Sequence, residues 1–390
     1  MNRIYLDNAA TTWPKPPAVY EAVELHLRNL GASAGRSLYD EALRAAEAVR
    51  RAREGVGRLL NADSRQIVFA HNGTDALNLA LHGLLDEHGG RVVTSVAEHN
   101  SVLRPLRFLE QRQRIDITRV GVDASGVVDL DAMRSVLASG NVRLVAITHA
   151  SNVTGAIQPV DQIIAMAHEV GALVLIDAAQ TLGELPIDAR QLGVDLLAAP
   201  GHKGLLGPLG TGVLYLRPGV ERQLAPQRQG GTGSASDSDV QPTELPEMFE
   251  SGSLNVPAIA GLGAGINYLR ERGVARVRAA TVGLCERLLD GLRGIANVRI
   301  YGPPDAASRT GIVSITLDGC DPHELASMLE TTYRIQARAG LHCAGAMHAV
   351  LGTSPTGGTL RFSLGPFTTE GDLDATIVAM REIAHALNTR

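Results

Sequence analysis

Lysine is nearly missing from this chain: of its 36 basic residues only Lys15 and Lys203 are not arginine. The scarcity matters because the two cations differ chemically. A guanidinium stays protonated, whereas a lysine amine can lose its proton and condense with an aldehyde. Cysteine is sparse as well. Cys285, Cys320 and Cys343 are too few and too dispersed for a disulfide framework or a zinc cluster, so no metal site is expected. No apolar run approaches the roughly 18 residues that a membrane-spanning helix needs. Residues 1–7 lack the apolar segment of a secretory signal. A net charge of −5 with scattered arginines gives no basic patch for nucleic acid. These absences point to a cytoplasmic protein with no membrane and no nucleic-acid partner.

What is present is a chain of 390 residues with 45% hydrophobic and 20% charged residues. That is too long for one small core, and two lobes are expected. Leu43, Ala46, Val49, Ala52, Val56 and Leu59 recur at three- and four-residue spacing and predict a helix over 41–60. Short apolar strands then alternate with helices. Strands are expected at 66–70, 91–95, 144–148 and 173–176, then near 195–198 and 211–216. Helices are expected at 76–85 and at 160–170, the latter closing at Gly171. Continuous apolar strands joined by helices belong to a mostly parallel sheet covered on both faces. From 228 to 246 the composition turns to Gly, Ser, Thr, Asp and Pro, an exposed and mobile loop by expectation. A long helix should follow from near Pro257 through Leu269, and from about Val274 a second, smaller lobe.

Ligands of such sheets sit beyond the carboxyl ends of the strands. The polar residues there are Thr74, His99, Asn152, Asp177, Gln180, His202 and Lys203. Asn72-Gly73-Thr74-Asp75 opens a helix, where free N–H groups and the dipole suit a phosphate, although the same motif is also an ordinary cap. Asp177 ends a buried apolar strand and needs a cation or a proton. A protonated pyridine nitrogen would serve, the pairing expected for pyridoxal phosphate acting as an electron sink. His99 could stack on an aromatic ring or be a satisfied core histidine.

With these residues in place the chain resembles the class V branch of the fold type I pyridoxal-phosphate enzymes, on its cysteine desulfurase and selenocysteine lyase side. The likeness runs from Tyr5-Leu6-Asp7-Asn8-Ala9-Ala10-Thr11-Thr12 to Arg361-Phe362-Ser363. The resemblance implies an α/β fold with a mostly parallel seven-stranded sheet in a large cofactor domain, 15–260. A smaller α/β domain of 1–14 with 261–390 would carry the nucleophile loop. It implies that Gly73, Thr74 and Asp75 hold the cofactor phosphate with His202. His99 would stack on the ring, Asn152 and Gln180 would neighbour the phenolic oxygen, Asp177 would face the ring nitrogen, and Lys203 would be the Schiff-base lysine. Ser253 in Phe249-Glu250-Ser251-Gly252-Ser253 stands where a neighbouring subunit often reaches the phosphate, which implies a homodimer with shared sites.

The reaction rests on Cys343 in Arg338-Ala339-Gly340-Leu341-His342-Cys343-Ala344, similar to the Arg-x-Gly-x-His-Cys signature of desulfurases. A thiolate beside His342 and near Arg338 should be a competent nucleophile. Arg361 resembles the arginine that clamps a substrate α-carboxylate, with Asn152 and Arg338 as further substrate contacts. Cys285, on a helical pattern, reads as a buried structural thiol and Cys320 as a turn residue. Two positions depart from the family pattern: Pro200 replaces a Ser or Thr, and Leu341 replaces a histidine. The expected substrate is L-cysteine, the products alanine and a persulfide on Cys343, and a sulfur-acceptor protein a partner. Alternatives are a selenocysteine lyase, another amino-acid lyase or aminotransferase, and a non-catalytic scaffold. A nicotinamide-type dehydrogenase lacks its G-x-G-x-x-G turn.

Overall fold

In a computed structural model, described for residues 3–234 and 237–389, the expected parallel sheet forms. Its seven strands are β2 (Ile67–Ala70), β3 (Gly90–Ser95), β4 (Ile115–Val120), β5 (Val142–Thr148), β6 (Leu173–Asp177), β7 (Leu196–Pro200) and β8 (Gly212–Leu216). They lie in the order β2-β8-β7-β6-β5-β3-β4, and only β8 runs against its neighbours. Alternation within each strand splits the apolar residues between two cores. Val145, Ile147, Val174, Ile176, Leu197 and Ala199 face one side, while Leu144, Ala146, Leu175, Leu196 and Ala198 face the other. Both faces are buried, which is why these strands read as unbroken apolar runs.

The edge strand β4 was not anticipated. Its Asp116 and Arg119 are exposed, and charge on an edge blunts unwanted pairing while erasing the apolar signature of a strand.

The first long helix spans Asp40–Leu59, but its buried face is Ala42, Ala45, Val49, Ala52 and Val56, and Leu43 lies exposed. Close helix packing selects that face. A Cβ added at Gly263 would stand 3.2 Å from Ala52 Cβ, and one at Gly55 would stand 3.0 Å from Ile266. Small residues are what the facing helix Val256–Arg272 admits. The expected boundary at 260 falls inside that helix, whose Leu262, Ile266 and Leu269 pack into the core of the large sheet. The packing changes after it, at Gly273, where the helix Val274–Arg293 begins.

The remaining strands are β1 (Ile4–Tyr5), β9 (Val298–Tyr301), β10 (Ile312–Leu317), β11 (Ile335–Gln336), β12 (Arg338–Gly340) and β13 (Thr359–Ser363). A four-stranded sheet has the order β12-β13-β10-β9, and β1 pairs with β11 in parallel. Leu6 thereby joins a third core formed with residues 285–384. In β13, Leu360 and Phe362 enter this core, leaving Thr359, Arg361 and Ser363 on the opposite face. From 228 to 246 the described residues form turns and bends, as composition suggested; residues 235 and 236 of that loop lie outside the described residues. No described helix is long and apolar enough to cross a membrane.

Candidate active site

The strand order reverses between β3 and β5, and a doubly wound sheet opens a crevice at such a switch point. An inner cavity of ≈ 90 Å³ lies there, lined by Gly73, Thr74, His99, Asn152, Asp177, Gln180, Pro200, His202 and Lys203 among others. Through Thr74, His99 and Ser101 it meets an outer recess of ≈ 560 Å³ that Cys343 borders. The sequence thus placed most of its candidates correctly on one edge of the sheet.

Lys203 is half-buried at the cavity, and desolvation pushes its amine down to about 8, with Asp177 opposing the shift. Burial also raises the Asp177 carboxyl above its usual range, against the hydrogen bond that Oδ1 accepts from Ala179 N at 2.9 Å and the charge of Lys203. His99 caps the helix Asn100–Gln111: its Nδ1 accepts the N–H of Ser101 at 3.0 Å. The ring proton is therefore on Nε2. Burial, with Lys203 next, lowers His99 to about 4, so the ring is neutral near pH 7. Ser101, which sequence reasoning missed, also places its Oγ 2.8 Å from His99 Nδ1 and 2.7 Å from Thr74 Oγ1. Only its position two residues after His99 could have signalled this.

The helix Gly73–Leu85 is capped by Asn72, whose side chain accepts the Asp75 N–H at 2.9 Å. The cap and the anion site therefore coexist: Gly73 and Thr74 keep their amides at the cavity, and Asp75 does not. The Asp75 carboxylate accepts the His71 N–H at 2.8 Å and lies 3.3 Å from Arg228. It is not among the residues that line the cavity. Pro200 packs on Gly73, where a Cβ would stand 3.0 Å from the proline ring. Ser253 is exposed and does not reach the cavity of its own chain.

Do these residues fit pyridoxal phosphate? His202 Nδ1 is buried at the cavity without a partner among the described residues. The helix start offers amides to an anion, Asp177 needs a cation, and Lys203 is an amine with a lowered pKa. This donor set suits a phosphorylated pyridine aldehyde.

Arg338 and Arg361 are direct cross-strand partners of β12 and β13. Like charges in that position repel, so the pair is suited to receive an anion. Arg361 is buried, its Nη2 donates to Asp7 Oδ1 at 2.9 Å and its Nη1 to Asn152 O at 3.0 Å. Its Nε, also buried, has no partner among the described residues.

Cys343 is exposed, while Cys285 is buried and its thiol is pushed up to about 11 by that burial. Cys320 follows β10 in a turn. Arg338 Nη2 donates to Cys343 Sγ at 3.9 Å. The expected help from His342 is corrected. Its ring is buried with Nε2 3.1 Å from Thr359 O, and burial together with Arg361 keeps it neutral, so it brings no positive charge to the thiol. His342 and Cys343 have φ of 49° and 59°, left-handed backbones that cost about 1–2 kcal/mol each in non-glycine residues.

The profile of the aminotransferase class-V family matches residues 4–376, and the chain belongs to that family. Within it, the chain is 37% identical over 385 residues to a probable cysteine desulfurase of Methanothermobacter thermautotrophicus, covering 98% of this chain and 95% of the relative. It is 32% identical to a probable cysteine desulfurase of Pyrococcus abyssi, covering 99% and 95%. The apo structure of a cysteine desulfurase from Thermococcus onnurineus superposes with a TM-score of 0.92 at 31% identity, covering 98% and 95% of the two chains.

Proposed function

We propose that the chain is a pyridoxal-phosphate-dependent cysteine desulfurase, converting L-cysteine to L-alanine and leaving the sulfur as a persulfide on Cys343. The observation that carries this reading is a half-buried lysine lining the inner cavity, an exposed cysteine bordering the adjoining recess with Arg338 beside its thiol, and Arg361 bonded to Asn152 of the cavity wall. Pyridoxal phosphate, when bound, supplies an electron sink at the substrate α-carbon. Gly73, Thr74 and His202 would hold its phosphate, Asp177 its ring nitrogen, and Lys203 its aldehyde carbon.

Arg361 and Arg338 bind the substrate carboxylate, which relieves their mutual repulsion. Lys203, with its amine lowered to about 8, exchanges a proton at Nζ near neutral pH. The Cys343 thiolate attacks the substrate sulfur. The S–S bond forms as the C–S bond breaks, and the electron pair stays with the carbon skeleton, which leaves as alanine after protonation. Neutral His99, with its proton on Nε2, walls the cavity over this step.

We further infer a homodimer in which Ser253 serves the partner's site, since it is exposed and does not line the cavity of its own chain. The outer recess beside Cys343 would receive a sulfur-acceptor protein, and the cytoplasm is the expected compartment. The test is to incubate the cofactor-loaded protein with L-cysteine and a thiol reductant and to measure alanine and sulfide together. Wild type should give both in equal amounts and Cys343→Ala neither. Alanine without sulfide, or full activity in the variant, would sink the assignment.

A further inference from the structure

His342 and Cys343 are consecutive non-glycine residues with left-handed backbones, a conformation that persists only where neighbours hold it. The hydrogen bonds that hold it come from the inner cavity wall, from the outer recess and from within the turn itself. Asn152 Nδ2, on the loop after β5, donates to His342 O at 2.7 Å. The N–H of Asn100, beside His99, donates to Cys343 O at 2.9 Å, and Ala344 N closes the turn on Leu341 O at 2.9 Å. The facing carbonyl settles the amide orientation of Asn152, because only its NH₂ can point there. The same residue takes Arg361 Nη1 on its backbone oxygen. One buried asparagine therefore ties the carboxylate-binding arginine to the loop of the sulfur nucleophile.

We propose that Asn152 is the positioning residue for Cys343: its side-chain amide holds the strained His342–Cys343 turn, and so sets where the thiol stands relative to a substrate gripped by Arg361. This deepens the desulfurase reading and rests on it for its catalytic meaning. The link to Arg361 runs through the Asn152 backbone, so side-chain substitutions leave it intact. Asn152→Asp keeps the size of the side chain and sets an oxygen against the His342 carbonyl; Asn152→Ala removes the donor altogether.

The decisive measurement is amide hydrogen exchange in cofactor-free protein, where any contact of Asn152 with the cofactor is out of play. In both variants exchange at Asn100 and Ala344 should rise about tenfold, the factor that one hydrogen bond is worth. Exchange in strands β5 and β6 should not change. In the loaded enzyme, kcat for alanine formation should fall while KM for L-cysteine stays within about twofold, as expected when placement rather than uniform binding is lost. Wild-type exchange at Asn100 and Ala344 in Asn152→Asp would overturn the proposal, as would a change confined to KM. Exchange is read without turnover, so this proposal can fail on its own; failure of the wild type to make alanine would refute the desulfurase reading separately.

Discussion

The ammonium of Lys15 donates to the carbonyl oxygen of His202 at 2.6 Å, so the only two lysines of the chain meet at one peptide unit. That carbonyl also accepts the Thr12 N–H at 3.1 Å and the Thr11 hydroxyl at 3.2 Å, and Thr12 Oγ1 donates to Lys203 O at 2.9 Å. The N-terminal segment thus fastens the backbone on which Lys203 stands. A compact ammonium suits a single carbonyl, whereas a planar guanidinium is built for two acceptors. Lys15→Met should lower the unfolding free energy by about 1 kcal/mol, the worth of a hydrogen bond from a charged group after partial exposure and the cost of burying the amine are set against it. Urea denaturation checks it, and Lys15→Arg should not restore the loss.

A chain with two lysines offers an uncluttered titration. Reductive methylation with ¹³C-formaldehyde should add only two lysine resonances, one each for Lys15 and Lys203. Both should titrate near 8 instead of 10.5, because burial disfavours the charged amine in each. Asp177 acts against that shift in Lys203. Asp177→Asn should therefore move the Lys203 inflection further down in pH and leave that of Lys15 in place. An inflection near 10.5 for Lys203 would mean that the amine is hydrated in the folded protein.

The parallel sheet and the strand-end residues were legible because buried strands are uniformly apolar and a polar residue at their ends breaks the pattern. Asp177, Asn152 and Lys203 stand out in this way. Ser101 and Arg309 did not, since their roles depend on which backbone or side-chain atom lies within reach. The proximity of His342 to Cys343 in sequence misled for a related reason. Consecutive residues need not share surroundings, and the His342 ring turned to Thr359 while the Cys343 thiol stayed near Arg338. Glycine and alanine positions misled over the helix Asp40–Leu59, where close packing outweighed the hydrophobicity of Leu43.

Arg309 is fully buried and donates to Pro303 O at 2.9 Å and, at 2.6 Å, to both Thr154 O and Tyr301 O. It bolts the loop carrying Asn152 to the end of β9. Burial lowers its guanidinium to about 10, so it remains charged near neutrality. Arg309→Met keeps much of the volume but strands three buried carbonyls, each costing about 1–3 kcal/mol when left unpaired. A loss of about 3 kcal/mol or more is expected, read as a lower urea midpoint with an unchanged m-value. A midpoint within error of wild type would show that water replaces the guanidinium.

Glu98, next to His99, is fully buried; its Oε1 accepts the Ser95 hydroxyl at 2.7 Å and its Oε2 has no partner among the described residues. Burial, with the nearby charge of Asp177 adding to it, raises the carboxyl from 4.5 to about 8 despite the Ser95 bond. Between those values the folded protein holds a proton that the unfolded chain has released. Glu98 therefore makes stability fall as pH rises from about 4.5 to 8, by at most about 1.4 kcal/mol per pH unit. Glu98→Gln cannot ionise and lacks this slope. Unfolding free energies of the two proteins, measured by urea at pH 5, 6, 7 and 8, should shift steadily in favour of the variant. Parallel curves would mean that Glu98 is already ionised in the folded state, and Asp177 would then share its pocket with a second negative charge rather than with a neutral acid.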